Sequence, residues 1–205
     1  MISINIEKKL KAYHGQQVLH IDKQFAMGSI TKIHGPSGSG KTTFLKVIAG
    51  LINPDKGAIK ADHETWFNAE TNINLSTQKR NIGFVFQQYA LFPNMTVRQH
   101  LEYATADENW INRLLLLGKL ESLETHKPDY LSGGQQQRLA ILRALTTKPR
   151  LLLMDEPFSA LDAKMKTELI AALKELLKEL NVTTIIVSHN PQELDGWADD
   201  EMVFS

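Results

Sequence analysis

Hydrophobic and polar positions alternate with period two at the start of the chain, where Ile2, Ile4 and Ile6 are separated by polar residues. That pattern predicts a strand with one buried face. A polar turn at Tyr13-His14-Gly15 and a second strand over residues 18–25 follow, then a short strand over 29–34. Lys32 and His34 share one face of that strand by alternation, which predicts a face only partly buried. Phe44, Ile48 and Leu51 then recur at helical spacing, with Gly50 and Asn53-Pro54-Asp55 as stop signals. Residues 58–88 read as strand-rich and end in the apolar run Ile82-Gly83-Phe84-Val85-Phe86, suited to a buried strand.

The character of the chain changes over residues 89–147. Short helical segments dominate, with apolar positions at 114–117 and at Leu139, Leu142 and Leu145. This stretch reads as a helical subdomain, residues 89–145, inserted into an α/β core made of 1–88 and 146–205. Alternation of strand and helix resumes with the apolar run 151–154, which ends in Asp155-Glu156-Pro157. Leu169, Leu173, Leu176, Leu177 and Leu180 mark one face of a long helix, a stripe that serves core packing. A β-branched strand over 182–187 is followed by Asn190-Pro191-Gln192-Glu193. There a cap residue, a proline at the first helical position and a glutamate at the third predict another helix. No internal repeat or low-complexity segment interrupts the pattern.

Composition narrows the class. At 205 residues, 42% hydrophobic and 22% charged, the chain suits one large α/β unit. Lys plus Arg and Asp plus Glu both number 23, so no overall charge draws it to nucleic acid or anionic lipid. With no cysteine, disulfides and thiolate metal sites are excluded. The first residues have strand patterning and lack the apolar core of a secretory leader. The longest apolar runs are far shorter than a membrane span. The expected location is the cytosol, with any membrane role exercised through a partner.

Chemistry concentrates first in Gly35-Pro36-Ser37-Gly38-Ser39-Gly40-Lys41-Thr42, which fits the phosphate-binding pattern G-x-x-x-x-G-K-[ST] and continues into Thr43. Converging backbone N–H groups hold a polyphosphate best. Gly38 and Gly40 remove side chains that would block its approach and tolerate positive φ. A helix beginning near Lys41 adds its N-terminal dipole. Lys41 is expected to reach the β and γ phosphates and the Thr42 hydroxyl to ligate Mg²⁺. Asp155 and Glu156 close a buried strand, at the edge of a parallel sheet where ligands bind. Asp155 suits the Mg²⁺ shell beside Thr42, and Glu156 suits a base or orienter for an attacking water. Tyr13 is either an ordinary edge aromatic or a platform for an adenine ring. Leu131-Ser132-Gly133-Gly134-Gln135 opens a helix with two glycines after a serine, a second backbone anion site with a hydroxyl donor.

With this second cradle the sequence resembles the ATP-binding-cassette ATPases over nearly its whole length. Leu131 to Gln135 matches the family signature, 151–156 the second nucleotide motif, and Ser159-Ala160-Leu161-Asp162 the loop after it. His189, after Val187-Ser188, matches the switch histidine. Gln87, after Phe84-Val85-Phe86, matches the glutamine that the family places at the metal and the attacking water. Tyr13 falls where the family keeps its adenine-stacking aromatic. The resemblance implies a phosphate-loop NTPase (RecA-like) core with an N-terminal antiparallel β subdomain and a helical insertion. It also implies a head-to-tail dimer with two ATP molecules between the phosphate loop of one copy and the signature of the other, driving integral membrane permease subunits. The stretches 78–87 and 90–97 look like the importer branch, and Trp66-Phe67-Asn68 resembles molybdate- and sulfate-type importers, which work with a solute-binding protein. The residues of 89–97, with Tyr89, Leu91, Phe92 and Met95, are expected to form an apolar surface for the permease.

Two departures stand out. Ser29 follows Gly28 where the family usually has Glu, and Asn190 follows the histidine where it usually has Asp. Many importer ATPases carry a C-terminal regulatory domain; here the sequence ends at Ser205, and the expectation is that such a domain is lacking and that the last core strand can be lacking too. A cassette ATPase acting on DNA or ribosomes, the alternative class, resembles tandem cassettes or a cassette split by a coiled coil. The single phosphate loop and neutral charge point away from it and from nucleic acid as a partner.

Overall fold

The computed structural model describes residues 1–11 and 16–204, apart from the side chains of Lys11, Gln16, Pro191 and Glu193. Tyr13 lies outside the described residues. Two five-stranded sheets hold the described strands. The first is antiparallel and comprises β1 (Ile2–Lys11), β2 (Gln16–Phe25), β4 (Lys56–Ala61), β5 (Glu64–Asn68) and β6 (Ile73–Asn74), in the order β2-β1-β4-β5-β6. The isoleucine stripe behaves as its alternation requires. Ile2 pairs with Phe25, Ile6 with Ile21 and Ile4 with Ile59, all on the buried face.

The second sheet is parallel, in the order β10-β3-β9-β8-β7, with β3 (Ile30–His34), β7 (Ile82–Val85), β8 (Leu151–Asp155), β9 (Thr183–Val187) and β10 (Asp200–Val203). Period two divides its side chains between two cores. Leu151, Leu153, Ile185 and Val187 join the antiparallel sheet and helix α1 (Lys41–Ala49) on one face. Leu152, Met154 and Ile186 face the other core. That core also takes in α2 (Val97–Glu102), α3 (Glu108–Gly118), α4 (Gly133–Leu145) and α5 (Ala163–Glu179). Central strands covered on both faces are apolar throughout for this reason.

Arg80, only 1% exposed, ties α1 to the antiparallel sheet. Its guanidinium donates to Val47 O, Ile48 O, Trp66 O and Leu75 O and so caps the C-terminus of α1. A Cβ at Gly50 would lie 2.7 Å from its Cζ, and Gly50 has φ 77°, so only glycine ends this helix here. Trp66 is fully buried between Arg80 and Arg150, so its place is structural.

Four expectations are corrected. α1 stops at Ala49, and Leu51, past the left-handed Gly50, is half exposed. Asn190 caps as predicted, its side chain accepting from Gln192 N, but only a single 3₁₀ turn (Pro191–Leu194) follows. The chain leaves it because Leu194 and Trp197 both bury, Trp197 against Phe158, and Asp199 then accepts from Ile30 N. That turn delivers residues 200–203 beside β3, so the core has the strand β10 that was in doubt. β10 also sets the Glu201 side chain beside the polar positions of β3. Lys32 is buried, with its Nζ 3.2 Å from Asp195 and 3.4 Å from Glu201, and His34 is half-buried against Glu201.

Candidate functional site

Four adjacent parallel strands, β3, β9, β8 and β7, end on one side of the sheet, and each is followed directly by a predicted site segment. β3 leads into the phosphate loop, β9 into Ser188 and His189, β8 into Glu156, and β7 through Phe86 into Gln87. This edge is where a parallel sheet presents unpaired backbone ends and helix N-termini to a ligand. A cavity of about 320 Å³ opens there, lined by Ser37, Gly38, Gly40, Lys41, Thr42, Thr43, Gln87, Asp155, Glu156, Val187 and His189.

The phosphate loop has the backbone that its glycines predict. Gly38 and Gly40 have φ of 84° and 94°, in the left-handed region. A Cβ at Gly38 would meet nothing, whereas one at Gly40 would strike Leu10 and one at Gly35 the carbonyl of Phe204. Gly38 is therefore needed for φ and for an open mouth, and Gly35 for close approach of the chain after β10. Gly40 is the N-cap of α1 and provides no side-chain bond to the helix amides. Lys41 Nζ donates to Gly35 O and Pro36 O at 2.8 and 2.7 Å, which holds the ammonium across the loop. Gly35 and Pro36 thus shape the loop without lining the cavity. Ser39 is buried and lines a neighbouring pocket between β2 and β10.

Thr42 Oγ1 donates to Asp155 Oδ2 at 2.7 Å. Asp155 is 3% exposed, and burial holds its carboxyl above the usual carboxylate range, while the Thr42 bond works the other way. A hydroxyl and a carboxylate at this distance are a donor set for a hard divalent cation that keeps several waters. Glu156 is also buried and has φ 53°, a left-handed conformation that strains a non-glycine residue by about 1–2 kcal/mol. Its amide donates to Val187 O at 3.0 Å, and Glu156 O accepts from Gln137 Nε2 and Ser159 Oγ. Its carboxylate meets His189 twice, Oε1 at 3.1 Å from Nε2 and Oε2 accepting from the amide at 3.3 Å. Gln87 and His189 are exposed at the cavity mouth.

Sequence reading missed Gln137. It is 1% exposed; its Nε2 donates to Glu156 O and Ser159 Oγ, and its Oε1 accepts from Ala160 N at 2.8 Å. The available signal was a glutamine four residues before Ile141, on the buried stripe of α4.

Ser132 to Gln135 does not share this cavity. Ser132 caps α4 in a capping box, its Oγ accepting from Gln135 N while Gln135 Oε1 accepts from Ser132 N. Ser132, Gly133, Gly134 and Gln135 line a separate depression with Arg138, Ala160, Leu161, Asp162 and Met165. Gly134 packs closely on the loop after β8, since a Cβ there would lie 3.1 Å from Ala160 O. Of the residues expected to form an apolar surface, Phe92 is 42% exposed, whereas Tyr89 and Leu91 pack partly into the core. Tyr103, 69% exposed and 5.7 Å from the Phe92 ring, extends that patch instead. Among the described residues no helix is long and apolar enough to cross a membrane.

The chain is 44% identical over 98% of its length to the sulfate/thiosulfate import ATP-binding protein CysA of Mesostigma viride, of which it covers 58%. It is 42% identical over 97% of its length to the molybdenum import ATP-binding protein ModC of Mannheimia succiniciproducens, of which it covers 56%. The chain therefore spans less than two thirds of the length of these relatives. Among solved structures it superposes on the dimeric bacterial ABC transporter cassette MJ0796 with a TM-score of 0.83 and 31% identity, covering all of this chain and 94% of that one. The same cassette in a post-hydrolysis state bound to ADP and Pi gives 0.85 and 30%, with the same coverage. The expected phosphate-loop NTPase core, with its antiparallel sheet, is thus borne out. The family model described as ABC transporter matches residues 18–159, a span that takes in the phosphate loop, the signature turn and the Asp155-Glu156 pair, and the chain belongs to that family.

Proposed function

We propose that this chain is the ATP-hydrolysing, nucleotide-binding part of a membrane transporter, an importer of a small oxyanion. One observation carries the reading: four neighbouring strand ends bring a phosphate loop, two buried carboxylates, a histidine and a glutamine to one cavity. Lys41, released from Gly35 O and Pro36 O, neutralises the β and γ phosphates, and the amides of 37–43 hold their oxygens. Thr42, Asp155 and Gln87 would hold Mg²⁺, which would supply neutralisation of phosphate charge. Glu156 orients the attacking water, and His189, already on its carboxylate, steadies it. Tyr13 stacks on adenine.

Residues 1–88 and 146–205 form the catalytic unit in this reading, and 89–145 the helical part. Ser132, Gly133, Gly134 and Gln135 meet the nucleotide of a second copy in a head-to-tail dimer. Permease subunits, fed by a solute-binding protein, dock at Phe92 and Tyr103, so that the chain sits peripherally on the cytoplasmic face of the membrane. The sulfate/thiosulfate and molybdenum importers among its relatives support the oxyanion class.

Glu156→Gln tests the centre of this reading. The variant is expected to bind ATP but turn over ~10²–10⁴-fold more slowly. Uncleaved ATP then holds two copies together, visible as a dimer by light scattering. Near-normal turnover would move the water-orienting role to another group.

A further inference from the structure

Outside the cavity, Arg143 stands in an unusual place. It lies in the last turn of α4, half-buried, and among the described residues it pairs with no carboxylate. Its Nη1 donates to Ala90 O at 2.5 Å and its Nη2 to Tyr89 O at 3.0 Å, and its guanidinium sits 5.6 Å from the Phe92 ring centroid. A basic residue at a helix C-terminus ordinarily serves the carbonyls of its own helix. This one reaches off the helix to two successive carbonyls of another segment.

The turn it holds is strained. Tyr89 and Ala90 have φ of 59° and 50°, adjacent non-glycine residues in the left-handed region, and such a conformation persists only where its surroundings over-determine it. The amide of Tyr89 returns to Phe86 O and that of Ala90 to Gln88 O, so Gln87 is inside the turn that Arg143 clamps. Earlier in the same helix, Gln137 holds Glu156 O and Ala160 N. Six residues of helix, about 9 Å of rise, separate the two clamps.

We propose that Arg143 is a positioning residue for Gln87, and that α4 thereby sets the Gln87 turn and the Glu156 turn as one rigid unit. The inference rests on the role given to Gln87 above. A planar fork suits two neighbouring carbonyls, and lysine, a point donor, serves them less well.

A double-mutant cycle in ATP turnover tests it on the full chain: wild type, R143M, Q87A and the pair. R143M is expected to lower kcat about tenfold, the rate equivalent of one residue's left-handed strain. The KM for ATP stays within about twofold, because no phosphate-loop group is touched. R143K falls between wild type and R143M. In the Q87A background R143M adds less than about twofold, since the group it positions is gone. Losses that simply multiply, or a kcat fall matched by weaker ATP binding, would overturn the proposal and make Arg143 a packing residue. Should R143M fail to fold, R143K carries the same cycle. Full turnover in Q87A would overturn the proposal while leaving the nucleotide site standing, whereas a wild-type chain without turnover would sink the functional reading itself.

Discussion

Two helices in this chain begin at glycine-containing turns, and they treat their first amides in opposite ways. α1 starts at Gly40, which has left-handed φ and makes no side-chain cap bond. α4 starts at Ser132, whose capping box with Gln135 satisfies two donors within the chain. An uncapped start leaves N–H groups and the positive end of the helix dipole open to an anion. Lys41 and the buried Asp155 beside it add charge of both signs, for a phosphate and for a cation. The α4 start is stable without a ligand and retains only the Ser132 hydroxyl hydrogen and the two glycine amides to offer. In the proposed reading the first turn is a seat, and the second completes one built by another copy.

The strongest way to break this contrast is complementation. Lys41→Ala and Ser132→Arg are each expected to be inactive as pure proteins. In a mixed head-to-tail dimer the Ser132→Arg copy still offers a phosphate loop and the Lys41→Ala copy a signature, so one of two sites is whole. Random mixing makes half the dimers mixed and restores at most about a quarter of wild-type sites. Silence from mixed dimers verified by differential tagging, with a tethered wild-type/double-mutant dimer active, would mean that both turns serve one nucleotide in one chain.

Asp155→Asn sharpens the difference in charge. Burial raises the folded carboxyl above its ordinary 3.8. Its ionisation therefore takes away stability as pH rises through the folded value, and none is lost below 3.8, where both states are protonated. Without Mg²⁺ and ATP, Asn is expected to stabilise the chain by roughly 0.5–2 kcal/mol at neutral pH while abolishing turnover. Urea unfolding across pH checks this, and a gain that persists unchanged in acid would contradict it. The smallest effect belongs to the cap. Ser132→Ala should lower stability by about 1 kcal/mol. That corresponds to a Tm lower by roughly 2–4 °C, with or without ATP. No change in Tm would show that the capping box contributes nothing to α4.

The contrast also separates what could be read locally from what could not. The phosphate loop was legible because its function is a backbone conformation, and left-handed φ at Gly38 and Gly40 follows from glycine itself. The strands β1 and β3 were legible because period two is a property of extended backbone, and β8 and β9 because a short apolar or β-branched run suits a strand covered on both faces. At Asn190 the same local logic misled. The cap formed, but the burial of Leu194 and Trp197 and the pairing of β10 with β3 prevailed over a helix. At Leu51 the helical spacing ran past Gly50, and the left-handed glycine, itself a readable stop signal, prevailed.

By itself, then, the sequence determined the glycine turns, the alternating strands, the leucine face of α5 and the residue types able to hold phosphate and cation. Only the tertiary structure decided that β3, β9, β8 and β7 lie side by side, so that residues 37–38, 40–43, 87, 155–156 and 189 meet. It alone placed Arg80, Gln137 and Arg143 against carbonyls of distant segments. The physical reason is one of range. Backbone period and φ are set by a residue and its neighbours, whereas the partner of a buried polar side chain is set by where the chain crosses itself, which no local pattern encodes.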